Sequence, residues 1–173
     1  TNSKRPCAER DKAILLVLLD CGLRASELCA LTVRDYEAER GRLHIRHGKG
    51  DKGRFVFLGD RTRKAIWRYM MTRPGAKADE PLFATNSGSQ LDRNNLRHTL
   101  TRIGAAAGVT DVHPHRFRHT FAVEFLRNGG NVFELQQILG HEQLTTVQRY
   151  VRLAEVDLEN AGRRSSPADN WKL

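Results

Sequence analysis

Apolar and polar positions recur with two different periods along this 173-residue chain, and the change of period divides it into elements. Residues 8–22 carry apolar side chains at helical spacing as far as Gly22, which predicts a first helix that stops there. Residues 26–31 give a short second helix with Leu28 and Leu31 on one side, so Arg24 falls at the corner between the two. From Arg42 the period drops to two. Leu43 and Ile45 are set against Phe55 and Phe57 across a glycine-rich turn at residues 48–53, predicting an antiparallel hairpin with a cationic tip. The helical period returns at 61–71, gives way to a breaker-rich loop at 74–79, and resumes in an amphipathic helix over 92–107 that ends at Gly108.

Pro114 suits the first position of a helix running to about Arg127, closed by Gly129 and Gly130. On that helix His115, Arg118, His119 and Ala122 share one face beside a stripe of Phe117, Phe121 and Phe125. The pattern predicts that the phenylalanine stripe is core and that the other face can meet a ligand. Asn131 and Glu134 make a capping-box-like start for a helix through Leu139, Gly140 ends it, and a further helix carries Tyr150. The expected fold is mainly α with a small antiparallel β-sheet (α+β), in one domain with a sizeable core. The tail from Arg163, with Ser165, Ser166 and Pro167, reads as a flexible arm.

Charge narrows the class of partner. A formal net charge of +9 and a pI near 10.0 imply a polyanion, nucleic acid before an anionic membrane surface. The longest apolar run, residues 13–19, is broken at Asp20 and falls far short of the roughly 18 residues that span a bilayer. No segment reads as transmembrane or secretory. Three cysteines without a CxxC pair argue against a disulfide framework or a thiolate metal site and favour a reducing cytoplasm; Cys21 and Cys29 fall among apolar residues as buried thiols. His115 and His119 have the four-residue spacing of two zinc ligands, but the glutamate of HExxH and a third ligand are missing, so no metal is expected.

The chemistry-bearing residues occur in order: Arg24 in GLRASEL, Lys49 in HGKGDKGR, His115 and Arg118 in HPHRFRHTFA, His141 in LGHEQ, and Tyr150 in TTVQRY. A phenol nucleophile, two guanidinium forks, an ammonium and two imidazoles suit attack on a phosphodiester. Guanidinium matches phosphate bidentately and stabilises the extra charge of a pentavalent transition state. The types, order and flanks resemble the catalytic domain of the tyrosine recombinases, the phage-integrase family, which cuts and rejoins DNA through a phosphotyrosine. That resemblance covers nearly the whole chain. It implies a catalytic domain over residues 1–162, a C-terminal arm at 163–173, and an N-terminal core-binding domain that this chain lacks.

The same resemblance implies the roles. Tyr150 is the nucleophile, Arg24 and Arg118 hold the nonbridging oxygens, and His115 and His141 donate hydrogen bonds or assist the proton of the phenol. Lys49 protonates the leaving 5′ oxygen, with Lys52 open as the rival for that task; Lys52 and Arg54 otherwise anchor DNA phosphates. Glu27 and His119 support the site from behind. No cofactor or ATP is implied. The partners are double-stranded DNA and further copies of the chain, two to four on paired sites. Two alternatives share these features: a type IB topoisomerase-like relaxation of DNA, and a noncatalytic module in which residues 132–150 form a helix-turn-helix-like layout.

Overall fold

A computed structural model describes residues 4–46, 53–140, 150–151 and 166–170. Helix α1 (Lys4–Cys21) ends at Gly22, whose φ of 58° lies in the left-handed region. An added Cβ at Gly22 would sit 2.4 Å from a ring carbon of Phe121, so two separate demands select glycine: the turn itself and the close approach of α5. Helix α2 (Ala25–Ala30) follows at once, then a 3₁₀ turn (Val33–Asp35) and a three-stranded antiparallel sheet of β1 (Tyr36–Glu37), β2 (Arg42–Ile45) and β3 (Arg54–Phe57) in that order. Helices α3 (Asp60–Met70), α4 (Arg93–Ala106), α5 (Pro114–Arg127) and α6 (Val132–Leu139) complete the elements among the described residues up to Gly140. Tyr150 and Val151 are helical, and a single helical turn (Pro167–Asn170) lies within the expected C-terminal arm.

The local signals hold where chemistry is local. Asp92 caps α4 by accepting from the Asn95 amide at 2.7 Å. Pro114 opens α5 at its first position, as its fixed φ and missing N–H allow. At α6, the Asn131 side chain accepts from the Phe133 amide while Glu134 accepts from the Asn131 amide, and Gly140 closes the helix at φ 63°.

The sheet corrects the expected hairpin. Leu43 pairs with Val56 and His44 with Phe55, so Leu43, Ile45 and Val56 face the core with Leu58 beyond them, and the two phenylalanines face outward. Phe57 is 69% exposed and Phe55 40%. Phe55 and Phe57 alternate with Val56 and Leu58, so a shift of one residue exchanges one apolar pair for the other; the smaller pair fits beneath the helices. Phe55 is covered instead by the His44 ring, stacked at 4.7 Å, and by the Arg42 guanidinium 3.8 Å from its centroid. A second difference is β1, two residues long and too short to show a period.

Buried apolar residues fall into two clusters. The larger joins α1, α2, the sheet, α3 and α4 through Ile14, Leu18, Leu28, Leu43, Ile66 and Leu100. The smaller joins α5, α6 and the helix of Tyr150 through Phe121, Ala122, Leu126, Leu135 and Leu139. Cys21 and Cys29 are buried and free in the larger cluster, and burial pushes both thiols up, Cys29 to about 11. No helix among the described residues is long and apolar enough to cross a membrane.

Candidate active site

The end of α1, the start of α2 and one side of α5 meet around an open pocket of about 520 Å³ lined by Leu23, Arg24, Ala25, His113, Pro114, His115, Arg118 and Tyr150. Four of the sequence-predicted residues therefore come together on it: Arg24, His115, Arg118 and Tyr150. Lys49, Lys52 and His141 lie outside the described residues. His113 was not singled out from the sequence, although it stands two positions before His115 and their rings lie parallel at 6.4 Å.

Arg118 is 5% exposed, which differs from the ligand-facing surface expected of its helix face. Helix α5 is enclosed by α1 on one side and α6 on the other, so the Arg118 and Ala122 side is turned into the seam between the two clusters. There Arg118 donates to the Gly22 carbonyl at 2.8 Å and to the Leu139 carbonyl at 2.8 Å. Burial is the main cause of its pKa being pushed down to about 10, with the charges of Arg24 and Arg54 adding to it and Glu27 and Tyr150 acting in the opposite sense. Arg118 remains a cation at neutral pH. Arg118 also lines the pocket, so its guanidinium is placed to meet an anion arriving there.

Arg24 is more open, its side chain 45% exposed, and projects from the N-cap of α2. Its Nη1 donates to Glu27 Oε1 at 2.9 Å, and its amide donates to Glu27 Oε2 at 2.8 Å. Glu27 is buried. Burial alone would raise its pKa, but hydrogen bonds from Arg54 and the Arg24 amide, together with both guanidinium charges, hold the carboxyl below its usual range. Among the described residues, Glu27 is thus shared between the guanidinium groups of Arg24 and Arg54. Arg54, expected as a phosphate anchor, has its guanidinium on Glu27 and on the Ile138 carbonyl.

Tyr150 is 5% exposed, packed into the smaller cluster with one edge on the pocket. The His119 ring meets it edge-on at 5.5 Å between centroids, which fixes the plane of the phenol. Among the described residues no group of three or more His, Cys, Asp or Glu side chains is arranged to hold a metal ion. Chemically, the pocket offers a hydroxyl, two guanidinium groups and two imidazoles around a volume that admits a phosphate group.

Comparisons with known proteins show the family and the fold. The model of the phage integrase family matches residues 1–156. The chain is 38% identical over 146 residues to a tyrosine recombinase XerC of Pelobacter propionicus, covering 84% of this chain and 48% of that protein. It is also 38% identical over 151 residues to a tyrosine recombinase XerA of Saccharolobus solfataricus, covering 87% and 48%. The chain thus spans about half the length of the curated relatives it matches. Among solved structures, an XerA recombinase superposes with a TM-score of 0.78 at 32% identity over 95% of this chain and 61% of that one. An XerH site-specific recombinase bound to its difH substrate before cleavage superposes with a TM-score of 0.72 at 28% identity over 87% and 45%.

Proposed function

Because this chain belongs to the phage integrase family, we propose that it is the catalytic domain of a site-specific DNA recombinase that works through a covalent 3′-phosphotyrosyl intermediate. The observation that carries this reading is the single pocket lined by Arg24, His115, Arg118 and Tyr150, residues separated by up to 126 positions in the chain. The Tyr150 oxygen attacks the scissile phosphorus; a P–O bond to the phenol forms as the P–O5′ bond breaks. Arg24 and Arg118 stabilise the nonbridging oxygens, whose charge rises in the transition state, and His115 and His141 hydrogen-bond the same phosphate. Lys49, with Lys52 as its rival for the task, gives the departing 5′ oxygen its proton. The bond energy is kept in the phosphotyrosine, so rejoining by the reverse attack needs neither ATP nor a metal.

Double-stranded DNA is the partner, consistent with the charge of +9 and with the XerC and XerA names of the relatives, and two to four copies act together on paired sites. The free thiols suit a cytoplasmic setting. The test uses nicked duplexes recovered from a randomised pool by retention on the protein. With a chelator present, the chain should give a denaturant-stable protein–DNA band that Tyr150→Phe does not give. Retention of DNA without any covalent band would mark a binding module instead.

A further inference from the structure

We infer that Arg54 is a positioning residue of the active site, holding Arg24 through Glu27 and the end of α6 through its carbonyl, rather than a contact to DNA. The inference rests on the catalytic reading above. Arg54 is the first residue of β3, and its side chain is only 16% exposed. Its Nη1 and Nη2 take the two oxygens of Glu27 at 2.9 and 3.0 Å, while Nε donates to the Ile138 carbonyl at 2.6 Å. Glu27 is then saturated: Oε1 accepts from Arg54 and Arg24 side chains, and Oε2 accepts from the Arg54 side chain and the Arg24 amide. The carboxylate is shared between one arginine aimed at the pocket and one aimed away from it.

The far end of this strut reaches the segment that leads to His141. An added Cβ at Gly140 would lie 3.1 Å from Arg54 Nη1 and 3.2 Å from its Cζ, so the guanidinium lies flat against the backbone there. The Gly140 carbonyl accepts from Arg24 Nη2 at 3.4 Å, closing a circuit of Arg24, Glu27, Arg54 and the α6 terminus. A planar fork can bind a carboxylate with two nitrogens and a carbonyl with the third, and an ammonium cannot. The second strand of the hairpin is thereby tied to the arginine that meets phosphate.

The experiment compares wild type and Arg54→Lys on the selected nicked duplexes, with DNA affinity, its salt dependence and the rate of covalent adduct at saturating DNA measured separately. Arg54→Lys should lower the adduct rate roughly 10- to 100-fold, the size found when a supporting residue lets a reacting group drift. Affinity and the slope against log salt should stay as in wild type. In an Arg24→Ala background the same change should cost several-fold less than in wild type, since the part that acts through Arg24 is already removed and only the hold on the α6 terminus remains. Glu27→Gln, nearly the same size, should reproduce the rate loss if Arg54→Lys does not fold. A salt slope reduced by about one phosphate contact, or rate losses that multiply in the double variant, would overturn the inference. Wild type without any adduct would instead overturn the proposed function.

Discussion

The two clusters of buried residues treat charge in opposite ways. In the larger one, buried charges are neutralised where they stand. Arg10 binds Asp11 at 2.8 Å and the Ala84 carbonyl at 2.9 Å, and Asp35 is held by Thr32 and Arg46. In the smaller one, Arg118 donates to two neutral carbonyl oxygens and keeps its positive charge under a burial penalty. Apolar packing of α5 on α1 joins the halves, and guanidinium–carbonyl bonds add to it: Arg118 to Gly22, Arg54 to Ile138 and Arg24 to Gly140. The difference separates scaffold from chemistry. One half ties its buried charges into ion pairs, and the seam sets guanidinium groups on carbonyl oxygens beside the pocket, where a phosphate can meet them.

The largest effect that sharpens this contrast comes from equal truncations on each side. Leu18 and Leu135 are both fully buried, one in each cluster. Leu18→Ala should cost roughly 2–5 kcal/mol of global stability, the usual range for a buried leucine that leaves a cavity. Leu135→Ala should act mainly on the smaller unit, raising hydrogen exchange in α6 while amides of α1 stay protected, and should slow adduct formation more than it lowers the melting temperature. Equal loss of protection in α1 and α6 from both variants would mean a single cooperative core and break the comparison.

Much of the scaffold could be read in the sequence because its signals are local. Asp92, Pro114, the Asn131 and Glu134 pair and Gly140 each act within four residues of their own position, so helix ends follow from residue type alone. Arg24, His115, Arg118 and Tyr150 could be picked out by residue type and order, but their meeting place could not. The face of β3 was not legible, since Phe55 and Phe57 outweigh Val56 and Leu58 in bulk and only the packed helices decide between them. Nor was the burial of Arg118, whose acceptors Gly22 and Leu139 lie 96 and 21 residues away. The inward turn of Arg54 depends likewise on Glu27, 27 residues earlier, while its neighbours Lys49 and Lys52 make it look like one more surface cation.

A smaller effect is expected from acid. Asp35 in the scaffold and Glu27 at the seam both have carboxyl groups held below the usual range: burial opposes each, and hydrogen bonds with nearby guanidinium charge overcome it. A depressed folded pKa means that the unfolded chain binds protons first. The stability from these groups is therefore complete above the ordinary carboxylate range and is lost as pH falls through the lower folded values. Melting curves should fall on acidification, and Asp35→Asn and Glu27→Gln should each flatten that dependence. An acid slope equal to wild type in both variants would show that neither pair contributes.

The central claim is that one chain, folding its two halves together, assembles the whole arrangement of Arg24, Arg118 and Tyr150 on one pocket. Mixing Arg24→Ala with Tyr150→Phe tests it directly, because each variant lacks what the other retains. If nucleophile and arginines act within one chain, the mixture should form no more covalent protein–DNA adduct on the nicked duplex than either variant alone. Adduct restored toward the wild-type level, carried on the Arg24→Ala chain, would mean that Tyr150 reaches a phosphate held by a neighbouring copy, and would contradict the account.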